Sequence, residues 1–371
     1  MNRHEQGQSK ETNSVHVRGI DYLELYVGNA RHAAHFYRTA FGLSPTAYCG
    51  PETGVCDRVS FVVEQGQIRL VLTSAMSSEG PIAEHFNRHG DGVKDIAFSV
   101  DDAAGAFEET VRNGARPIME PTTFEDGDGQ VIKATVATFG DTAHSFVQRK
   151  GYRGTFFPRY SAIKNPTTTA AVPTGLAFID HLAVCVEPGS SSHWVEYYKK
   201  TLRLNLSQEE DISSDYSGMN TKVVRNGSDN IVFVLVEPTR GKRQSPLDEY
   251  LMYYGCSGVH HIAVRSVDII GSVGALRANG VEFAETPAAY YDALEERVGP
   301  IPESISELRD LNILVDRDTW GYLMQIFVKP TQTRPTFFFE IIQRANARGF
   351  GNGNIKALFE AIEREQLLRG N

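Results

Sequence analysis

The sequence predicts an α+β protein of two domains, each built from a pair of strand–helix–three-strand modules whose sheets curl around a shared cavity. Three observations lead there. The chain has 371 residues, more than one hydrophobic core ordinarily supports. The order strand, helix, three strands recurs along it, making four modules. The last two modules echo the first two at an offset of about 160 residues, as a duplicated domain would.

The elements follow in order. After a polar tail, Gly19 to Val27 alternates like a strand. Asn29 suits the N-cap of a helix that Gly42 ends after Phe41. Strands are expected near Pro45–Cys49, Asp57–Glu64 and Gln67–Thr73. The second module has a strand over Val93–Val100, a helix capped by Asp101 and running to Asn113, and strands near Arg116–Thr123, Gln130–Phe139 and Thr142–Arg149. Residues 15–164 form the N-terminal domain, and 165–174, rich in Thr, Pro and Ala, read as a linker. In the C-terminal domain, 175–371, Phe178–Val186 echoes Ile20–Val27, and the helix after it sets Trp194, Tyr197 and Tyr198 on one apolar face. Gly258–Val264 echoes Gly92–Phe98. A helix over Asp268–Asn279, strands near Val281–Phe283, Leu311–Asp316 and Tyr322–Lys329, and a buried strand through Phe337–Ile342 complete the set, with a closing helix over about 353–369.

Composition narrows the function. A net charge of −9 and a pI near 5.7 leave no basic stripe for nucleic acid. No apolar run reaches the roughly 20 residues of a membrane span, and Met1–Ser14 lacks the apolar core of a signal peptide, so a cytoplasmic location is expected. Cys49, Cys56, Cys185 and Cys256 form no CxxC pair, as expected of reduced structural thiols.

One residue disturbs the most apolar strand. Glu340 follows Phe337, Phe338 and Phe339, and a buried carboxylate must be paired, protonated or bound to a metal. Aligning the halves places Tyr22 opposite His181, Asp95 opposite His261, and a position near Ser145 opposite Glu340. The second half alone therefore offers His181, His261 and Glu340. A strand histidine by itself is an ordinary hydrogen-bonded core residue, but three such residues at matching places favour a metal. Two imidazoles and one carboxylate suit non-haem Fe(II) with open positions. Strand alternation turns His260 to the opposite face from His261. His85 and His89, spaced i, i+4 with no acidic neighbour, read as surface residues.

The segments Phe178–His181, Gly258–Ala263, Gly321–Phe327, Phe337–Gln343 and Gly349–Glu360 resemble those of the 4-hydroxyphenylpyruvate dioxygenase family, which includes 4-hydroxymandelate synthase. The resemblance implies the vicinal oxygen chelate fold, with four βαβββ modules in two open-barrel domains and catalysis confined to the second. It implies Fe(II) held by His181, His261 and Glu340, O2 as co-substrate, an aromatic 2-oxo acid such as 4-hydroxyphenylpyruvate that replaces 2-oxoglutarate, and a homodimer or homotetramer. No catalytic residue beyond the metal ligands is implied. Thr221, Val236, His260, Gln325, Phe327, Phe339, Phe350, Asn354 and Ile355 are the expected substrate-binding residues.

Within the family, one enzyme hydroxylates the ring to give homogentisate, in tyrosine catabolism, and the other hydroxylates the benzylic carbon. Asn354-Ile355, Met219-Asn220 and Val236 resemble the synthase, which favours 4-hydroxymandelate as product, with homogentisate the alternative. Pro246 and His260, where both enzymes have glutamine, leave room for another aromatic 2-oxo acid.

Overall fold

The computed structural model describes residues 16–164, 172–214 and 216–358. The first half runs β1 (Val17–Tyr26), α1 (Ala30–Phe41), β2 (Ser44–Cys49), β3 (Arg58–Gln65), β4 (Ile68–Ala75), α2 (Pro81–His89), β5 (Gly92–Val100), α3 (Ala103–Arg112), β6 (Pro117–Asp126), β7 (Gly129–Ala137), β8 (Ala143–Lys150) and a short β9 (Ser161–Ala162). The second half runs β10 (Leu176–Cys185), α4 (Ser191–Thr201), β11 (Asn205–Ser213), β12 (Gly218–Arg225), β13 (Val232–Thr239), α5 (Pro246–Tyr254), β14 (Gly258–Ser266) and α6 (Ile269–Ala278). Three short helices follow, α7 (Ala288–Asp292), α8 (Leu294–Val298) and α9 (Ile305–Asp310), then β15 (Leu314–Arg317), β16 (Tyr322–Phe327) and β17 (Phe338–Ala345).

The strands form two sheets, β6-β7-β8-β5-β1-β4-β3-β2-β9 and β11-β12-β13-β10-β14-β17-β16-β15. An antiparallel pair joins the modules within each: β1 with β5 and β10 with β14. Both sheets curl outward from that pair, which is the vicinal oxygen chelate architecture.

Local chemistry sets the helix ends. Asn29 Oδ1 accepts from the backbone of Arg31 and His32, and Gly42 ends α1 at φ 72°, a left-handed conformation that glycine adopts freely. The cap of α3 is Asp102 rather than Asp101, since Asp102 Oδ1 is the acceptor for Gly105 N at 3.0 Å. Asp268 caps α6 in the same way.

One hydrophobic core runs through both halves. Tyr37 and Phe41 of α1 pack on Phe339, Tyr197 Oη donates to the Ala137 carbonyl, and His144 Nε2 lies 2.9 Å from Tyr198 Oη. The histidines of α2 are buried here and not on the surface. Stacked on Tyr254, His89 reaches the Tyr254 carbonyl and Asp141, a carboxylate remote in sequence. The segment expected as a strand at Val281–Phe283 makes only a single bridge, Phe283 to Val328. Pro287 then caps α7, and a proline cannot extend a ladder. Residues 352–358 are helical; the expected continuation to 369 and linker residues 165–171 lie outside the described residues.

The central pairs are irregular at matching places. Register shifts fall at Asp21 and Asp180, between the flanking pairs, and at Lys94 and His260. Each is a bulge, where one extra residue on a strand breaks the alternation of side chains.

Candidate metal centre and cavity

The second sheet brings three distant residues into one row. His181 on β10 pairs with Ala263 on β14, and Ala263 pairs with Glu340 on β17. His261 lies two residues before Ala263 and so shares its face. Glu340 Oε2 lies 3.4 Å from His181 Nε2 and 3.3 Å from His261 Nε2, and the donor atoms all fall within 4.8 Å of one another.

The surroundings prepare these donors. Because of the bulge at Asp180, its carboxylate turns to the same side as His181 and accepts a hydrogen bond from Nδ1–H at 2.9 Å. Arg265 and Arg344 in turn hold Asp180, at 2.9 and 2.8 Å, the outer support that metal-bound imidazoles commonly have. Burial works to raise the Asp180 pKa, but Arg344 and His181 outweigh it and hold the carboxyl well below the usual range. Glu340 is likewise pulled down to about 2, because His181 and His261 overcome its burial. Burial lowers the His261 pKa, whereas Glu340 and Asp180 raise that of His181 against the same burial. Glu340 thus stays ionised inside the protein.

The donor set fits a transition metal with open positions. Two Nε2 atoms face one carboxylate, both Nδ1 atoms are occupied, and Glu340 Oε1 is buried without a partner. Nitrogen and oxygen donors in this combination suit iron. A second cluster, His89, Asp141 and Cys256, is satisfied internally: His89 and Arg88 both bond Asp141.

Above the row lies a largely apolar cavity whose lining includes His181, His261 and Glu340. Of the residues expected to bind substrate, Thr221, Val236, His260, Gln325, Phe327, Phe350 and Ile355 line it. Thr221 Oγ1 and Gln325 Oε1 are buried there without hydrogen-bond partners among the described residues. Met219, Pro246, Leu247 and Leu358 complete much of the apolar wall.

Three expectations need correction. Phe339 faces the opposite way, packed on Tyr37 and Phe41 in the core between the halves, because it alternates with Glu340. The neighbour on the metal side is Phe338, stacked on the His261 ring with centroids 5.1 Å apart. Asn354 is fully buried but is not among the residues lining the cavity; it is hydrogen-bonded to Tyr290 Oη at 2.6 Å and ties the closing helix to it. Finally, His260 and His261 point to the same side, since the bulge at His260 cancels the alternation, and both line the cavity. Adjacent polar pairs inside apolar strands, Asp180-His181 and His260-His261, are the sequence signal for these bulges.

Comparisons with known proteins agree on the superfamily. Residues 19–148 match the pattern of the Glyoxalase/Bleomycin resistance protein/Dioxygenase superfamily, and residues 180–297 match a second pattern of it. A protein named 4-hydroxyphenylpyruvate dioxygenase from Yarrowia lipolytica is 41% identical over 375 residues, covering 97% of this chain and 95% of that protein. Its namesake from Xenopus tropicalis is 41% identical over 372 residues, covering 96% and 94%. The solved structure of a triple mutant of 4-hydroxymandelate synthase from Streptomyces coelicolor superposes with a TM-score of 0.86 at 37% identity, covering 94% of this chain and 99% of that one.

Proposed function

Because this chain belongs to the 4-hydroxyphenylpyruvate dioxygenase family, we propose that it is an Fe(II)-dependent oxygenase coupling oxidative decarboxylation of 4-hydroxyphenylpyruvate to hydroxylation, with homogentisate as product. The observation that carries the reading is the convergence of His181 Nε2, His261 Nε2 and Glu340 Oε2 at the base of an apolar cavity. The names of the curated relatives favour homogentisate over the 4-hydroxymandelate expected from single pocket residues.

His181, His261 and Glu340 would hold Fe(II), which would supply Lewis-acid and redox chemistry for a 2-oxo acid and O2. The protein's own residues do the rest. Asp180 keeps the proton of His181 on Nδ1, so Nε2 remains free to bind. Phe327 and Phe350 stand on the cavity walls as apolar surfaces for an aromatic ring. Gln325 and Thr221 offer a carboxamide oxygen and a hydroxyl to the polar ends of the substrate. Phe350, Ile355 and Leu358 cover the cavity and keep water from it. The cytoplasm and a homodimer or homotetramer remain the setting we propose.

The second reading, benzylic hydroxylation to 4-hydroxymandelate, is favoured by one observation. Ile355 borders the cavity from the closing helix, where a larger ring would push the substrate toward a different tilt, and small shifts in position redirect such chemistry. Product analysis after incubating the iron-loaded protein with 4-hydroxyphenylpyruvate and O2 separates the readings. Homogentisate is expected; 4-hydroxymandelate as sole product would replace it with the second reading. No turnover of any aromatic 2-oxo acid would end both. In a protein that does form 4-hydroxymandelate, Ile355→Phe is expected to shift product toward homogentisate.

A further inference from the structure

The two imidazoles of the donor set have unlike outer partners. His181 is backed by an ionised carboxylate, Asp180, itself gripped by Arg265 and Arg344. His261 is backed by another imidazole: its Nδ1 lies 3.1 Å from the Nδ1 of His260. The bulge in β14 creates this contact by turning consecutive residues to one side. The edge of Tyr250 and the ring of Phe338 enclose the pair, with centroids 5.4 and 4.9 Å from His260.

Two ring nitrogens at 3.1 Å need one proton between them, because two lone pairs repel and two N–H groups collide. The Nε2 of His261 faces Glu340 Oε2 at 3.3 Å, and a metal there requires its lone pair. A neutral His261 must then hold its proton on Nδ1 and donate it to His260, leaving His260 with its own proton on Nε2.

We propose that His260 is a positioning residue that fixes the tautomer and orientation of His261 through this Nδ1 contact, and is itself held as the Nε2–H tautomer on the cavity wall. A neutral acceptor polarises His261 less than Asp180 polarises His181, so the two nitrogen donors differ in basicity. The inference rests on the metal-centre reading above and adds a residue to it.

Zn²⁺ serves as a diamagnetic probe. In ¹⁵N ring spectra of the Zn²⁺-loaded full chain, His260 is expected as the Nε2–H tautomer and His261 as the Nδ1–H tautomer; His260 protonated on Nδ1 would overturn the proposal. Chelator competition then measures affinity, with thermal unfolding of the metal-free protein as the check on folding. His260→Leu should weaken Zn²⁺ binding by about 10–100-fold, the usual cost of an outer partner, whereas His260→Gln, whose carboxamide oxygen also accepts, should stay within about threefold. Equal affinities in a folded His260→Leu variant would sink the proposal alone. If His261→Ala also left affinity unchanged, the metal-centre reading itself would fall. Should His260→Leu fail to fold, the spectra and His260→Gln still decide.

Discussion

In the second sheet the row across the three central strands reads His181, Ala263, Glu340; in the first it reads Tyr22, Ala97, Ser145. Asp95 stands where His261 stands, and Lys133 on β7 where Gln325 stands on β16. The contents of the two positions are opposite in kind. In the first half the Lys133 ammonium donates to Tyr22 Oη at 2.8 Å and to Asp95 Oδ2 at 2.9 Å, and Ser145 Oγ donates to the same carboxylate at 2.6 Å. Phe156 and Phe157 close over Tyr22. Around it the frame persists, for Asp21 is gripped by Arg149 and Arg69 as Asp180 is by Arg344 and Arg265. The difference teaches that a buried carboxylate at this place needs a cation whichever half it is in. One half presents donors suited to a metal ion, and the other uses its own lysine.

Three experiments break or sharpen that contrast, taken from the largest effect down. Glu340→Ala should abolish turnover and metal binding, a loss beyond the 10–100-fold of an outer partner, while Ser145→Ala at the matching place leaves both intact. A thermal shift on adding Zn²⁺ checks this, since a ligand at 100 times its Kd stabilises by about 2.7 kcal/mol; an undiminished shift in Glu340→Ala would refute the ligand role. Next, Lys133→Met strands Asp95 as a lone buried charge and should cost about 3–5 kcal/mol in denaturant unfolding, most of it recovered by adding Asp95→Leu. A cost under about 1 kcal/mol, the worth of an exposed pair, would show that Lys133 does not act as the missing cation. Smallest is the pair of outer carboxylates. Asp180→Asn should weaken metal affinity about 10–100-fold, and Asp21→Asn should alter stability with no change in affinity; a metal effect from Asp21→Asn would erase the distinction between the halves.

Much of this was legible in the chain itself. The repeat placed His181, His261 and Glu340 at corresponding positions, and the lone carboxylate in an apolar strand marked Glu340 as needing a partner. What alternation could not supply was its own interruption. The bulges at Asp180 and His260 are decided by pairing between strands far apart in sequence, so His260 was read onto the wrong face. Phe339 failed for a simpler reason: with three phenylalanines in a row, the choice between neighbours depends on register with β14. The burial of His89 was hidden because its cover comes from the other half, through Tyr254, and from Asp141, while His85 packs on Tyr26 and on His89 itself. Asn354 could be recognised as significant in the sequence, but only its contact with Tyr290 tells anchoring from substrate contact.

That contact bears on how the cavity is walled. Asn354 joins the helix at 352–358 to Tyr290, whose hydroxyl also bonds both backbone groups of Val315 on β15, and Asp316 accepts the amide of Gly353. Any opening that lifts this helix from the cavity mouth has to break these bonds together and expose a buried carboxamide. The cavity wall at Ile355 is therefore held from behind, by a hydrogen-bonded residue that does not itself line the cavity.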